Sequence, residues 1–201
     1  MFAVLVPLKR PDRAKTRLAR SGVAEHQRLA VAFAWDTIAA ALASPLVDGV
    51  WVVTDAADLV PENAHHLPDQ GDGDLNQALA RAAEALRVSR PSLGLAALCA
   101  DLPALTPDDL TEALATSGDG RSFVADKAGT GTTLLIAASG HELEPGFGEG
   151  SAMRHAASGA HALTGSLVTL RLDVDTAEDL EQAAGVGVGA HTQQALATNP
   201  V

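Results

Sequence analysis

Basic residues are concentrated near the N-terminus of this chain. Six of the 14 basic residues lie in the stretch Lys9–Arg20 (KRPDRAKTRLAR), including two of the three lysines, Lys9 and Lys15. The chain as a whole is acidic, with a formal net charge of −11. The stretch follows an apolar run that predicts a buried strand. A cationic loop at the end of a buried strand is typical of a polyphosphate site, although a solvated run of charges would have the same composition.

Three aspartates are candidate ligands of a divalent cation. Asp101 follows the apolar run LGLAALCA, and Asp173 and Asp175 flank Val174 in LRLDVDTAEDL. On an extended backbone alternate residues face the same side, so Asp173 and Asp175 are expected to share one cation. Because Mg²⁺ prefers a few carboxylates together with phosphate oxygens, the three aspartates predict a magnesium site for a phosphate substrate. The structural alternatives are a turn at Asp101 and helix capping by Asp175.

Two loops of small residues are candidates for holding an anionic acceptor. One reads GTGTT over 129–133, and the other reads GEGS over 148–151. Their backbone amides and hydroxyls suit an anion, and Ser151 is expected to cap a helix N-terminus. Ordinary hairpin and capping structure is the alternative for each loop. The histidines show no metal-ligand spacing and are expected mostly at the surface, and Cys99 is expected to be a small core residue.

The elements that position these residues alternate between strand and helix. Apolar runs predict strands over 2–7, 49–54, 64–67, 93–100, 123–125, 132–138 and 167–174, and helical spacing predicts helices over 24–42, 75–88, 106–115, 152–157 and 177–184. This order predicts an α/β fold, a three-layer sandwich with a mostly parallel sheet, in which ligands bind at the carboxyl ends of the strands. We expect one domain over 1–185 and a weakly attached C-terminal tail over 186–201.

The composition argues against several classes of protein. The acidic balance disfavours binding to nucleic acid or to an anionic membrane surface. No apolar run approaches the ~20 residues of a membrane span, and the N-terminus does not read as a signal peptide. A single cysteine excludes an intramolecular disulfide. A cytoplasmic location is the resulting expectation, and the oligomeric state is left open, a homodimer included.

The motifs together resemble a known family, the guanylyltransferases of coenzyme F(420) biosynthesis that act on 2-phospho-L-lactate or phosphoenolpyruvate. These enzymes are similar to the molybdenum-cofactor guanylyltransferase. The matching segments span nearly the whole chain in order: VPLKRPDRAKTRLA (6–19), DLNQALARA (74–82), ADLPALTPDDL (100–110), SFVADKAGTGTTLL (122–135), FGEGSAMRHAASGA (147–160) and LRLDVDTAEDL (170–180). Ala100 departs from the family pattern, which has glycine before the metal-binding aspartate.

The resemblance implies a Rossmann-like nucleotidyltransferase domain that uses GTP and Mg²⁺. It implies that Lys15 and Lys9 bind the GTP phosphates and that Asn76 lies near the base or ribose. Magnesium ligands would be Asp101, Asp173 and Asp175, and the acceptor would be held by Thr132, Gly148 and Ser151. The groups expected to carry the chemistry are Lys15, Lys9 and Asp101.

The implied reaction transfers GMP from GTP to a small phospho-acid and releases pyrophosphate. The sequence does not choose between phosphoenolpyruvate, 2-phospho-L-lactate and 3-phospho-D-glycerate as acceptor. Two alternatives stay open at this point. One is a nucleotidyltransferase of the same fold that acts on a molybdopterin or an alcohol phosphate, and the other is a nucleotide-binding module without catalysis.

Overall fold

The computed structural model describes residues 1–9 and 23–198, and a seven-stranded sheet forms its centre. The strands are β1 (Phe2–Pro7), β2 (Val47–Thr54), β3 (His65–Pro68), β4 (Gly94–Leu98), β5 (Arg121–Ala125), β6 (Thr132–Ala137) and β7 (His161–Ala162). The helices are α1 (Val23–Ala43), α2 (Leu75–Ser89), α3 (Pro107–Thr116), α4 (Ser151–Ala157), α5 (Ala177–Val186) and α6 (Ala190–Ala197). Strand and helix therefore alternate, as the sequence predicts.

The strand order in the sheet is β3-β2-β1-β4-β6-β5-β7. Pairing is parallel between β1 and both β2 and β4, between β2 and β3, and between β5 and β7. β6 alone runs antiparallel to its neighbours β4 and β5. The mostly parallel α/β sheet is thus confirmed. Because β6 is reversed, its first residue lies at the edge where the other strands end.

Both faces of the sheet are covered, which makes the domain a three-layer sandwich. Alternate residues of β1 enter different cores: Val4 and Val6 pack with α1 and α3, whereas Ala3 and Leu5 pack with α2 and α4. This double burial explains why the strand reads as a continuous apolar run without polar alternation.

The predicted strand over 167–174 is wrong. The structure has a short 3₁₀ helix, Thr169–Arg171, in that segment. Side chains from distant elements fix the turn: Asp109 accepts hydrogen bonds from the backbone N–H and hydroxyl of Thr169, both at 2.7 Å. The Arg171 guanidinium donates to the carbonyls of Ala125 and Leu163. The apolar residues of the segment are buried, but they pack against the sheet without joining it.

The C-terminal residues also differ from the expected tail over 186–201. Helix α5 extends to Val186, and α6 follows and packs with α1 and α5 in a third apolar cluster. The buried Asp36 of α1 accepts hydrogen bonds from the backbone N–H groups of His191 (3.0 Å) and Thr192 (2.8 Å) at the start of α6. The described C-terminal residues are therefore part of the domain. Among the helices of residues 1–9 and 23–198, none combines the length and the apolar character that a membrane span requires.

Candidate active site

The chemically suggestive residues gather at one edge of the sheet. Lys9 follows β1, Asp101 follows β4, Asp126 follows β5, and Thr132 is the first residue of the reversed strand β6. Thr132 pairs with Ala125, the last residue of β5. The carboxyl edge expected from the sequence is therefore the place where the candidate residues meet.

Asp101 lies in a segment that is held by hydrogen bonds from α1. The hydroxyl of Thr37 accepts from the backbone N–H of Leu102 at 3.2 Å and lies 3.3 Å from the carbonyl oxygen of Ala100. The same hydroxyl donates to the Phe33 carbonyl at 2.9 Å, so the bond from Leu102 is the one by which this buried side chain holds the segment after Asp101. The carbonyl oxygen of Asp101 accepts a hydrogen bond from the N–H of Val174 at 3.0 Å. This bond joins the Asp101 segment to the Asp173–Asp175 segment.

The predicted reason for the pairing of Asp173 and Asp175 is wrong, although the two residues do lie beside Asp101. They follow a 3₁₀ helix rather than lying on a strand, and the bond from Val174 to Asp101 is what brings them there. Asp175 is not the helix cap: Thr176 is the N-cap of α5 and forms a capping box with Asp179. The Asp175 carboxylate is therefore not needed for capping.

Negative charge is concentrated around Asp101. Burial, together with the carboxylates of Asp173 and Asp175, raises the pKa of Asp101 to about 7. Burial, together with nearby Asp126 and Asp175, raises the pKa of Asp173 to about 6. Burial, together with the same acidic neighbours, raises the pKa of the Cys99 thiol well above its usual value. Cys99 is therefore neutral, and it packs against the core as expected. A cation at this place would relieve the repulsion between the carboxylates.

An orphaned oxygen supports the fit of these residues to a cation. Oδ1 of Asp101 is buried and has no hydrogen-bond partner within the part of the chain that the structure describes. Among the described residues, no group of three or more His, Cys, Asp or Glu side chains is placed so that it could hold a metal ion by itself. Mg²⁺ characteristically takes only one or two protein carboxylates and completes its shell with water and substrate phosphates. The residues present therefore fit a magnesium ion that is shared with a phosphate substrate.

Of the two predicted phosphate-binding lysines, the structure describes only Lys9. Lys15, with the rest of the basic stretch beyond Lys9, lies outside the described residues. Lys9 is exposed, and its Nζ lies 3.5 Å from the carbonyl oxygen of Gly73 in the loop before α2. Since β1 and β4 are neighbours in the sheet, Lys9 and Asp101 leave adjacent strands.

The loop between β5 and β6 is shaped by Asp126. Its Oδ1 accepts from the N–H of Thr130 at 2.9 Å, and its Oδ2 accepts from the N–H of Gly131 at 2.8 Å. A Cβ at position 131 would lie 2.4 Å from Oδ2 of Asp126, so any other residue there would displace the carboxylate that shapes the loop. The loop delivers Thr132 to the site edge, where its side chain is buried.

The second small-residue loop (148–151) follows Gly146 and Phe147, and side chains of α2 and α4 hold the whole segment 146–151, called the 146–151 loop below. Asn76 of α2 accepts from the N–H of Phe147 at 2.7 Å and donates to the Phe147 carbonyl at 3.1 Å. Arg154 of α4 donates to the carbonyls of Gly146 (3.1 Å) and Glu149 (2.6 Å). Gly148 has a φ of +115°, which side-chain-bearing residues rarely adopt. Asn76 therefore supports the loop, and its predicted place near the nucleotide stays a prediction.

The predicted cap at Ser151 is wrong. The N-cap of α4 is Gly150, which has a left-handed conformation and no side-chain cap bond, and Ser151 is the first residue of the helix. The loop must turn sharply before α4, and a glycine at φ +70° makes that turn. Ser151 is buried, and its role in binding the acceptor stays a prediction.

His155 was missed because the histidines were expected at the surface. That expectation holds for His65, His66, His141 and His161, which are exposed, but His155 is only 1% exposed. Its Nδ1 lies 2.9 Å from Oγ1 of Thr132, and its Nε2 accepts from the N–H of Gly146 at 2.9 Å. One buried ring therefore connects the two small-residue loops.

Asp126 was also missed, although the sequence carried a signal for it. It follows the apolar run of β5 directly, as Asp101 follows that of β4, so the same argument from strand ends would have found it. Thr37 carried no such signal, because its partners at 100 and 102 are brought to it only by packing of α1 on the sheet.

An apolar cavity of about 540 Å³ lies away from this edge, between α1 and α6. Trp35, Leu59 and His191 contribute to its lining, and none of the predicted site residues does. The chemistry is therefore argued from the carboxyl edge of the sheet.

Comparison with known proteins shows the family to which this chain belongs. The family described as "Guanylyl transferase CofC like" matches residues 2–198. Two phosphoenolpyruvate guanylyltransferases are similar over nearly their full length. The one from Streptomyces scabiei is 49% identical, covering 98% of this chain and 96% of that protein, and the one from Geodermatophilus obscurus is 48% identical, covering 97% and 94%.

A solved structure supports the fold alone. A protein from Desulfovibrio desulfuricans G20, described as a nucleotide-diphospho-sugar transferase, superposes with a TM-score of 0.71 at 17% identity, covering 98% of this chain and 94% of that one. The family match extends through α6, in agreement with the packing of that helix on the domain. This chain belongs to the CofC-like guanylyltransferase family, and it is a nucleotidyltransferase.

Proposed function

We propose that this enzyme transfers GMP from GTP to phosphoenolpyruvate and releases pyrophosphate, as a step in coenzyme F(420) biosynthesis. 2-Phospho-L-lactate is the second acceptor to be considered, because it differs from phosphoenolpyruvate by only two hydrogen atoms. Support for phosphoenolpyruvate comes from the relatives at 48–49% identity that carry that substrate in their names.

The observation that carries the proposal is the junction between Asp101 and the Asp173–Asp175 segment. The Val174–Asp101 hydrogen bond joins the segments that carry the three carboxylates, and the buried Oδ1 of Asp101 has no hydrogen-bond partner among residues 1–9 and 23–198. These residues would hold Mg²⁺, which when bound neutralises charge on the GTP phosphates. A site that only bound a neutral ligand would have no use for such a concentration of negative charge.

The reaction needs no protein nucleophile. An oxygen of the acceptor's phosphate attacks the α-phosphorus of GTP, a new P–O bond forms, and the bond from the α-phosphorus to the bridging oxygen of the β-phosphate breaks. Pyrophosphate leaves with the electron pair of that bond. The attacking phosphate is already anionic near neutral pH, so no general base is required. Catalysis is then positioning together with neutralisation of charge.

The residues divide between the two substrates. Lys9 and Lys15 bind the phosphates of GTP and stabilise charge on the leaving pyrophosphate, and Asn76 lies near the nucleotide while supporting Phe147. Thr132, Gly148 and Ser151 bind the carboxylate and phosphate of the acceptor. The hydrogen bonds of Asp126, Asn76 and Arg154 keep the two acceptor loops in place before the substrate arrives.

An acceptor panel tests the proposal. The protein is incubated with Mg²⁺, GTP and one acceptor: phosphoenolpyruvate, 2-phospho-L-lactate or 3-phospho-D-glycerate. The products are identified by their masses in mass spectrometry. We expect a guanylylated product with phosphoenolpyruvate. The absence of a guanylylated product with every acceptor would overturn the proposal.

Two variants separate the metal site from general effects of charge. Asp101→Asn removes one carboxylate charge at the site and is expected to abolish turnover while the protein stays folded. Asp119→Asn removes the same charge from an exposed turn before β5, at the opposite edge of the sheet, and is expected to keep full activity. Near-normal activity of Asp101→Asn would exclude Asp101 as a magnesium ligand.

A further inference from the structure

His155 is a buried titratable residue to which the proposed reaction gives no role. Its ring packs against Phe147, with ring centroids 5.3 Å apart, and against Phe123, at 5.9 Å. Burial lowers the pKa of His155 to about 4, with the nearby guanidinium groups of Arg154 and Arg121 acting in the same direction. The ring is therefore neutral near pH 7, and one of its two nitrogens carries the only N–H proton.

The hydrogen bonds decide which nitrogen carries the proton. A backbone N–H can only donate, and the N–H of Gly146 points to Nε2 at 2.9 Å. Nε2 must then present its lone pair, so the proton of the neutral ring lies on Nδ1. Nδ1–H donates to Oγ1 of Thr132, 2.9 Å away.

This arrangement also fixes the role of the Thr132 hydroxyl. Because Oγ1 accepts from His155, its own proton cannot be directed at Nδ1. Within the described part of the chain, no other hydrogen bond of Thr132 Oγ1 is formed. The Thr132 proton is thus left for a further acceptor at the site edge, and an anionic oxygen is the strongest acceptor for it.

We propose that His155 is a positioning residue that holds Thr132 as a hydrogen-bond donor to the anionic phospho-acid, while its other nitrogen fixes the start of the 146–151 loop. This rests on the proposed function, because it assumes that the phospho-acid binds at Thr132. His155 acts on the acceptor and not on GTP. Loss of the His155 ring should therefore weaken binding of the phospho-acid more than binding of GTP.

Two substitutions separate the hydrogen bond of His155 to Thr132 from its hydrogen bond to Gly146. His155→Asn can place its amide nitrogen near the position of Nδ1 and keep the donor to Thr132. His155→Gln can place its amide oxygen near the position of Nε2 and keep only the acceptor for Gly146. We expect the KM for phosphoenolpyruvate to rise roughly 10- to 100-fold in His155→Gln, the loss typical of one hydrogen bond to a charged group. The KM for GTP should change less than about threefold, and His155→Asn should retain more of the phosphoenolpyruvate affinity.

Thr132 provides the double-mutant cycle. Thr132→Val removes the hydroxyl and is expected to raise the same KM, and His155→Gln should add little in that background, because the two residues act through one hydrogen bond. Thr132→Ser should restore most of the affinity. His161→Gln, at an exposed histidine of β7, is the matched control and should leave both KM values unchanged.

The wild-type protein separates failure of this inference from failure of the proposed function. If the wild type forms product and His155→Gln leaves the KM for phosphoenolpyruvate unchanged, or raises both KM values equally, the positioning role is excluded and the proposed function stands. If the wild type neither turns over nor binds phosphoenolpyruvate by calorimetry with Mg²⁺ and a non-hydrolysable GTP analogue, both are overturned. Nitrogen chemical shifts of the ring that place the proton on Nε2 would also exclude the inference.

Discussion

At the scale of single residues, the Asp101 carboxylate is held in a place that disfavours its charge. Its buried Oδ1 has no hydrogen-bond partner among the described residues, and burial, together with the carboxylates of Asp173 and Asp175, raises its pKa to about 7. In the unfolded chain an aspartate ionises near pH 4, so the ionised carboxylate destabilises the fold increasingly as pH rises from 4 to 7. In the proposed function, a bound Mg²⁺ would offset this cost.

This reasoning predicts opposite effects of Asp101→Asn with and without metal. At pH 8 and without divalent cations, the variant should be more stable than the wild type by roughly 1–3 kcal/mol, because a neutral amide replaces a repelled charge. With Mg²⁺ present, the wild type should gain thermal stability and the variant should gain little. Urea and thermal unfolding measure both effects. An equal Mg²⁺ increment in the two proteins would contradict the assignment of Asp101.

Burial of His155 leads to a separate prediction about the stability of the protein at acidic pH. Its pKa is about 4 in the fold, against 6.5 for an unperturbed histidine. The unfolded chain therefore binds the proton first as pH falls, and the stability contributed by the neutral ring is lost between pH 6.5 and pH 4. From pH 7 to pH 5 the loss should be about 2 kcal/mol.

The measurement compares urea unfolding of the wild type and of His155→Gln at both pH values. The variant lacks this titration, so the difference between the two proteins should shrink by about 2 kcal/mol on going to pH 5. His161→Gln should follow the wild type. A difference that does not change with pH would show that His155 titrates normally in the fold.

At the scale of elements, the site depends on how segments are docked. Reversal of β6 brings Thr132 to the edge where β4 and β5 end, and the Val174–Asp101 bond brings the segment before α5 to the same edge. The start of α6 is bonded to the Asp101 segment. The N–H of Gly189 donates to the carbonyl of Pro103, two residues after Asp101, at 2.8 Å.

Docking of α6 should depend on Asp36. Asp36→Ala removes the acceptor for two backbone N–H groups at the start of α6, and we expect it to lower the free energy of unfolding by about 2–3 kcal/mol. Asp119→Ala, on an exposed turn, should change it by less than about 0.5 kcal/mol. Urea unfolding distinguishes the two. Equal stability of both variants would mean that α6 is held by its apolar contacts alone.

At the scale of the whole molecule, the sequence predicted the elements best where burial alone determines them. The β1 run and the helix over 75–88 are found almost unchanged, because an apolar run or a helical stripe needs only a core to pack against. The segment over 167–174 was misread because its path is set by Asp109 and Arg171, whose partners lie far along the chain.

The site was partly predictable for the same reason. Asp101 could be found because it follows a buried strand, and the rule that ligands bind where parallel strands end gave its position. The contact between Asp101 and Val174, the loop support by Asn76 and the burial of His155 could not be found, since each joins residues from separate elements. Lys15 remains a prediction, because it lies outside the described residues.

The central claim is that this nucleotidyltransferase transfers GMP from GTP to phosphoenolpyruvate, and the most direct measurement is pyrophosphate release in matched reactions. The protein is mixed with Mg²⁺ and either GTP, ATP, CTP or UTP, with and without phosphoenolpyruvate. We predict release that requires both GTP and phosphoenolpyruvate, in amounts equal to the guanylylated product. Release that does not depend on phosphoenolpyruvate, or that is as fast with another nucleotide, would contradict the account.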